Sequence, residues 1–148
     1  MKNRVVSFAI LLPLYLFALS GKVVSIHDGD TITILTQEKQ QVKVRLYGID
    51  APEKKQPYGQ KSKQFLSNLI AGRSVEIQEK GKDRYKRVLG IVYLDEQDIN
   101  ERMVLNGYAW AYVKYSKIYA GQELKARNQN LGLWRDKSIP PWEWRKRR

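Results

Sequence analysis

The chain has 148 residues, enough for one hydrophobic core, and its 27 Lys and Arg against 15 Asp and Glu give a net charge of +12. That surplus attracts a polyanion, whether nucleic acid, an anionic membrane or an acidic polymer. There is no cysteine and a single histidine, His27, so a thiol nucleophile, a disulfide framework, a Cys/His zinc site and a histidine pair exchanging protons are all excluded.

Residues 1–20 read as a targeting segment. Lys2 and Arg4 precede the apolar run Val5 to Leu19, and Ala18-Leu19-Ser20 offers small residues where cleavage is decided, so a cut before Gly21 is expected. The run is interrupted by Ser7 and Pro13 and is short for a membrane span, which takes roughly 20 apolar residues. The mature chain is therefore expected in the periplasm or outside the cell, free of the membrane. A protein without cysteine tolerates either redox state.

The mature chain reads as one domain, 21–135, followed by a basic tail, 136–148. Three β-prone runs come first: Val23 to Ile26, Thr31 to Leu35, and Val42 to Tyr47. Asp28-Gly29 between the first two is a hairpin signal, because it tolerates the positive φ that two-residue turns demand. His27 beside that turn is expected to be a solvated strand-end residue. From Gly59 to Ala71 the period changes, with Phe65, Leu66, Leu69 and Ile70 on one helical face and Gly72 at the C-terminal cap. Arg73 to Glu79 and Val88 to Leu94 supply two more strands. Asn100 is expected to cap a short helix holding Met103, Val104 and Leu105 and ended by Gly107. A further helix with Ala120, Leu124 and Leu131 is expected to stop at Gly132. The sum is an α+β fold, a five-stranded OB-type β-barrel with three helices. Pro140 and Pro141 keep the tail from continuing a helix, so its Trp142 and Trp144 are expected to dock while the last basic residues stay mobile and add only charge.

Charged groups collect at the ends of these elements. Asp28-Gly29-Asp30-Thr31 sets two carboxylates at a turn, Arg45 precedes Asp50-Ala51-Pro52-Glu53, and Asp83-Arg84-Tyr85-Lys86-Arg87 brings cations to the start of the last strand. Singly, each is explained by turn chemistry. Together they supply hard oxygen ligands, a spare carboxylate and planar guanidinium forks that match phosphate.

These runs, with Val24 to Thr31, Val44 to Glu53, Tyr58-Gly59 and Asn128 to Trp134, resemble the staphylococcal thermonuclease family in order and spacing from Lys22 to about Trp134. The resemblance implies Ca²⁺ held by Asp30, Asp50 and the backbone carbonyl of Ala51, with Asp28 behind them or joined through water. It implies Glu53 as the general base on the attacking water, Arg45 and Arg87 on the scissile phosphate, and Tyr85 and Tyr112 lining the nucleotide pocket. The implied activity is a sugar-nonspecific endonuclease acting on DNA and RNA and leaving 5′-hydroxyl and 3′-phosphate ends. The chain departs from the family at Lys86, where glycine is usual, and in a shorter stretch between Glu53 and Tyr58. A non-catalytic, single-strand-binding OB module is the alternative, but it leaves the acid and arginine set unexplained. No stable protein partner is implied, and a monomer is expected.

Overall fold

The computed structural model of the chain describes residues 17–147, so most of the expected leader lies outside the described residues. Among those described, no helix is long and apolar enough to cross a membrane.

The alternating runs make the expected meander of β1 (Leu19–Asp28), β2 (Thr31–Leu35) and β3 (Gln41–Leu46), with Thr31 opposite Arg45 and Ile32 opposite Val44. After a two-residue strand β4 (Ile49–Asp50), the helix α1 (Gly59–Ile70) leads to β5 (Ser74–Lys82), which pairs antiparallel with the start of β1. β6 (Val88–Leu94) runs antiparallel to β5 and parallel to β3, and this last pairing closes a five-stranded barrel. Closure leaves β1, β2, β3, β5 and β6 no open edge. The α+β, OB-type barrel is therefore the architecture adopted.

Alternate residues point inward. Val23, Ile32, Ile34, Val44, Leu46, Ile77 and Val92 are buried, each contributing about 1.5–3 kcal/mol by leaving water. The apolar face of α1 covers one end, with Leu66 and Ile70 buried and Phe65 stacked on Tyr108 at 4.3 Å. Gly72, at φ 72°, turns the chain out of the helix as expected.

Several details depart from the sequence reading. β7 (Gln97–Asp98) and β8 (Trp110–Ala111), like β4, are too short to carry a period of two and escape notice in the sequence. α2 (Ile99–Leu105) is capped by Asp98, whose carboxylate accepts from the Glu101 N–H, and not by Asn100. Asn100 is buried and pins α2 to the barrel, donating to the carbonyls of Tyr47 and Gly90 and accepting from the Val92 N–H. α3 (Ala120–Asn128) ends before Leu131, because Asn130 takes a left-handed φ of 50°. Leu124 faces solvent and Ala126 is the buried residue, with a short 3₁₀ turn following at Gly132–Arg135.

The largest correction is in the tail. A fourth helix, α4 (Pro141–Arg145), forms there because Pro141 occupies its first position, where a missing N–H costs nothing and the fixed φ suits a helix. Trp142 docks as expected, stacked on Tyr112 at 5.6 Å and 6° and edge-on to Trp110. Arg145 is not left for solvent. It reaches the charged cleft described next.

Candidate active site

The β1–β2 turn, the exit of β3 and the β5–β6 turn meet at one end of the barrel, around an open cleft of about 720 Å³. Asp28, Asp30, Arg45, Asp50, Glu53, Tyr85, Arg87 and Tyr112 all line it. Ala51 lies buried just behind, its N–H donating to Asp30 Oδ2 at 2.7 Å. The structure thus gathers in one place every residue singled out from the sequence.

The β1–β2 turn is tight for a reason other than backbone freedom. Gly29 does not take a positive φ. A Cβ there would sit 2.8 Å from the Cβ atoms of both Ala51 and Ser62, so glycine is needed to let the turn pack against α1 and the residue behind the cleft. The Asp30 N–H donates to Asp28 Oδ1 at 3.0 Å, fixing the two carboxylates side by side. His27 is more enclosed than expected. It shares a 2.8 Å hydrogen bond with Thr33 Oγ1, and burial, then Lys43 and Lys63, hold its imidazole below the usual value.

Arg45 ties the acids together. Its Nη2 lies 3.2 Å from both Asp30 Oδ2 and Asp50 Oδ1, while Nη1 donates to the carbonyls of Leu46 at 2.8 Å and Ile49 at 2.9 Å. Nη1 thereby spends both hydrogens on carbonyls and Nη2 donates to Asp50 while lying against Asp30, and Nε–H has no protein acceptor among the described residues. Crowding shows in the carboxylates: burial, then the neighbouring Asp30, pushes Asp28 up to about 7. Burial likewise pushes Asp50 up to about 6, against the Arg145 hydrogen bond that works the other way.

Whether these donors suit a cation can be read from their free lone pairs. Among the described residues, Asp30 Oδ1 accepts a hydrogen bond from the Thr31 hydroxyl and Asp50 Oδ2 one from Arg145, so each retains an acceptor site. Among the described residues no three acidic or histidine side chains converge on one point. Two carboxylates with one main-chain carbonyl do not require that. The donors are all hard oxygen, and the crowded buried negative charge is what a dication relieves, so the set fits Ca²⁺.

The β5–β6 turn aims the second arginine. Asp83 Oδ1 accepts from the N–H groups of Tyr85 and Arg87, and Asp83 Oδ2 accepts from Arg87 Nε at 2.7 Å. Burial alone would raise the Asp83 carboxyl, but these Arg87 and Tyr85 donors overcome it and hold it below the ordinary range. Engaged through Nε, Arg87 keeps both Nη atoms without a protein partner among the described residues. Tyr85, 64% exposed, stands at the rim with the guanidinium groups of Arg84 and Arg87 over its ring. Lys86 adopts φ 62°, the left-handed conformation that favours glycine. Lys86→Gly is accordingly expected to raise stability by about 1 kcal/mol in a denaturant titration, and a loss of stability would contradict the strain.

Glu53 sits on a knitted loop. Its N–H donates to Gln56 Oε1 at 3.0 Å, its carbonyl accepts from the Gln56 N–H, and the Gly59 N–H donates to the Gln56 carbonyl. Gly59 is required here, since a Cβ would meet the Glu53 carbonyl oxygen at 2.1 Å. The short stretch between Glu53 and Tyr58 is therefore closed against the helix start.

Two residues in the cleft were not expected from the sequence. Tyr115 packs edge-on to Tyr112 at 4.8 Å. Arg145 donates through Nη2 to Asp50 Oδ2 at 2.7 Å and through Nη1 to Asp50 Oδ1 at 3.2 Å and Glu53 Oε1 at 2.8 Å. The only signal for Arg145 in the sequence is its place after a proline-started, tryptophan-bearing turn, which reads equally well as a charged tail.

Comparison with known proteins gives a consistent picture. Residues 43–136 match the family described as "Staphylococcal nuclease homologue". An "Uncharacterized endonuclease" of Haemophilus influenzae is 49% identical over 128 residues, covering 84% of this chain and 72% of that protein. A "Micrococcal nuclease" of Shigella flexneri is 44% identical over 140 residues, covering 85% and 80%. A second "Uncharacterized endonuclease", from Escherichia coli, is 41% identical over 150 residues, covering 93% and 97%.

Proposed function

The chain belongs to the staphylococcal nuclease family, and from that membership we propose that it is an exported, calcium-dependent endonuclease hydrolysing phosphodiester bonds of DNA and RNA with little sequence preference. The observation that carries this reading is the cleft itself, where buried carboxylates with open lone pairs face the Arg87 guanidinium, whose two Nη atoms have no protein acceptor among the described residues.

Asp30, Asp50 and the Ala51 carbonyl would hold Ca²⁺. Bound there, calcium supplies charge neutralisation to the crowded acids and to the phosphate. Glu53 takes the proton of the attacking water. Arg87 offers its open fork to the non-bridging oxygens of the phosphate, where charge grows most in the transition state. Arg45 offers Nε–H there and ties Asp30 and Asp50 together behind it. Tyr85 gives a face on which any base stacks, which favours tolerance of sequence, while Tyr112, already stacked on Trp142, lines the pocket beside it. A carboxylate is a weak base, so most of the acceleration falls to charge stabilisation.

A single-strand-binding module would account for the barrel and the positive charge. It has no use for several carboxylates crowded where phosphates must sit, since they repel the ligand. The test is end-group analysis of oligonucleotide products. Cleavage of both DNA and RNA in calcium, with 3′-phosphate ends and little preference among sequences, is the expected result; 5′-phosphate ends or binding without cleavage would contradict it. Export is part of the same reading, motivated by Lys2, Arg4 and the apolar run that follows. Mass spectrometry of the protein recovered from its producing cell should give a start at or near Gly21, and an intact Met1 would count against it.

A further inference from the structure

We propose that Arg145 is a positioning residue for the reaction, its guanidinium holding Glu53 and Asp50 in fixed relation from the C-terminal helix. This rests on the nuclease reading of the cleft.

Three independent features bring the tail to the Glu53 loop. Trp142, stacked on Tyr112 and edge-on to Trp110, anchors α4 against the barrel. Gln56, which receives the Glu53 N–H on Oε1, donates through its Nε2 to the carbonyl of Ile139, just before α4. Arg145 then spans Asp50 and Glu53 with one planar fork. The tail thus holds the loop of the proposed base at two points, the Gln56 side-chain amide that also receives the Glu53 N–H and the Glu53 carboxylate itself.

The geometry favours positioning over obstruction. Arg145 takes one acceptor site of Asp50 Oδ2 and leaves the other, so it does not exclude a cation from that oxygen. It takes one oxygen of Glu53 and leaves Oε2 without a protein partner among the described residues, available to a water. Lysine, a single point charge, cannot bridge two carboxylates in this way.

The experiment compares the full-length parent with Arg145→Ala and Arg145→Lys. Turnover per folded molecule, KM for a short oligonucleotide and amide exchange across residues 53–58 are measured for each. The expected result for Arg145→Ala is a fall in kcat of roughly 100-fold with KM little changed, the size of effect a small misplacement of reacting groups produces. Arg145→Lys should recover little, and added guanidinium ion should restore part of the Arg145→Ala rate while leaving the parent unaffected. A residue that served stability alone would lower the folded fraction without guanidinium rescue of kcat. Parent-like kcat in folded Arg145→Ala would overturn the proposal, and so would faster cleavage, which would make the tail a gate instead. If the parent itself does not cleave, the nuclease reading fails separately. Amide exchange then decides the positioning: acceleration across 53–58 in Arg145→Ala supports it, and an unchanged pattern overturns it.

Discussion

Arg87→Lys is expected to slow cleavage by roughly 10²–10³-fold, the range seen when one preorganised donor to developing charge is removed, while leaving the melting temperature nearly unchanged. Arg87 is held by Asp83 through Nε and presents both Nη atoms to the cleft. A lysine brings charge but no fork, so it cannot meet two phosphate oxygens at once. The partner substitution behaves differently. Arg45→Lys should lose rate by a similar factor and also lose about 2 kcal/mol or more of stability, the scale of hydrogen bonds to charged groups left unmade. The reason is that Arg45 Nη atoms serve Asp30, Asp50 and the Leu46 and Ile49 carbonyls with the side chain only 14% exposed. Steady-state kinetics alongside thermal melts separate the two. Equal stability losses, or a parent-like rate in Arg87→Lys, would contradict the division of labour.

Glu53→Gln has the second large effect, a fall in turnover of roughly 10²–10⁴-fold, the usual contribution of a positioned general base. The amide keeps an oxygen to accept from Arg145 Nη1, so the loop geometry survives and affinity for a short oligonucleotide should change little. The loss therefore falls on kcat, as expected when a group acts in the transition state without binding the ground state. Equal weakening of binding would mean that Glu53 organises the cleft and leaves proton transfer to another group.

How much of this was legible beforehand depends on the kind of signal each residue gives. The barrel strands announced themselves because β1, β2 and β3 alternate or run β-branched over five or more residues, and α1 because its apolar face repeats at helical spacing. β4, β7 and β8 have two residues each, and no period can be read from two. Asn100 and Asp98 are both good caps, and the sequence alone does not say that buried acceptors and a donor on the barrel claim Asn100 first. Gly29 reads as a turn residue because Asp-Gly tolerates a positive φ, but its need for glycine comes from contact with Ala51 and Ser62, which arises only once distant segments meet. The residues of the candidate site stand out because carboxylates and arginines cluster along the chain at element ends, and the family resemblance is what attaches a role to each. Arg145 does not, because its partners are 92 and 95 residues away and its flanks, Trp144 and Lys146, read as part of a charged aromatic tail. Tail charge that reads as solvated became part of the cleft through Trp142, whose docking surface is made by Trp110 and Tyr112.

Cutting of the phosphodiester backbone in this one cleft with the help of calcium is tested by cleavage of a labelled oligonucleotide by the parent and by Glu53→Gln purified side by side, each with calcium and with a calcium-selective chelator. Rapid cleavage by the parent with calcium, none by the parent in chelator, and little by Glu53→Gln in either condition is the expected result. Undiminished cleavage in chelator, or equal cleavage by both proteins, would contradict it.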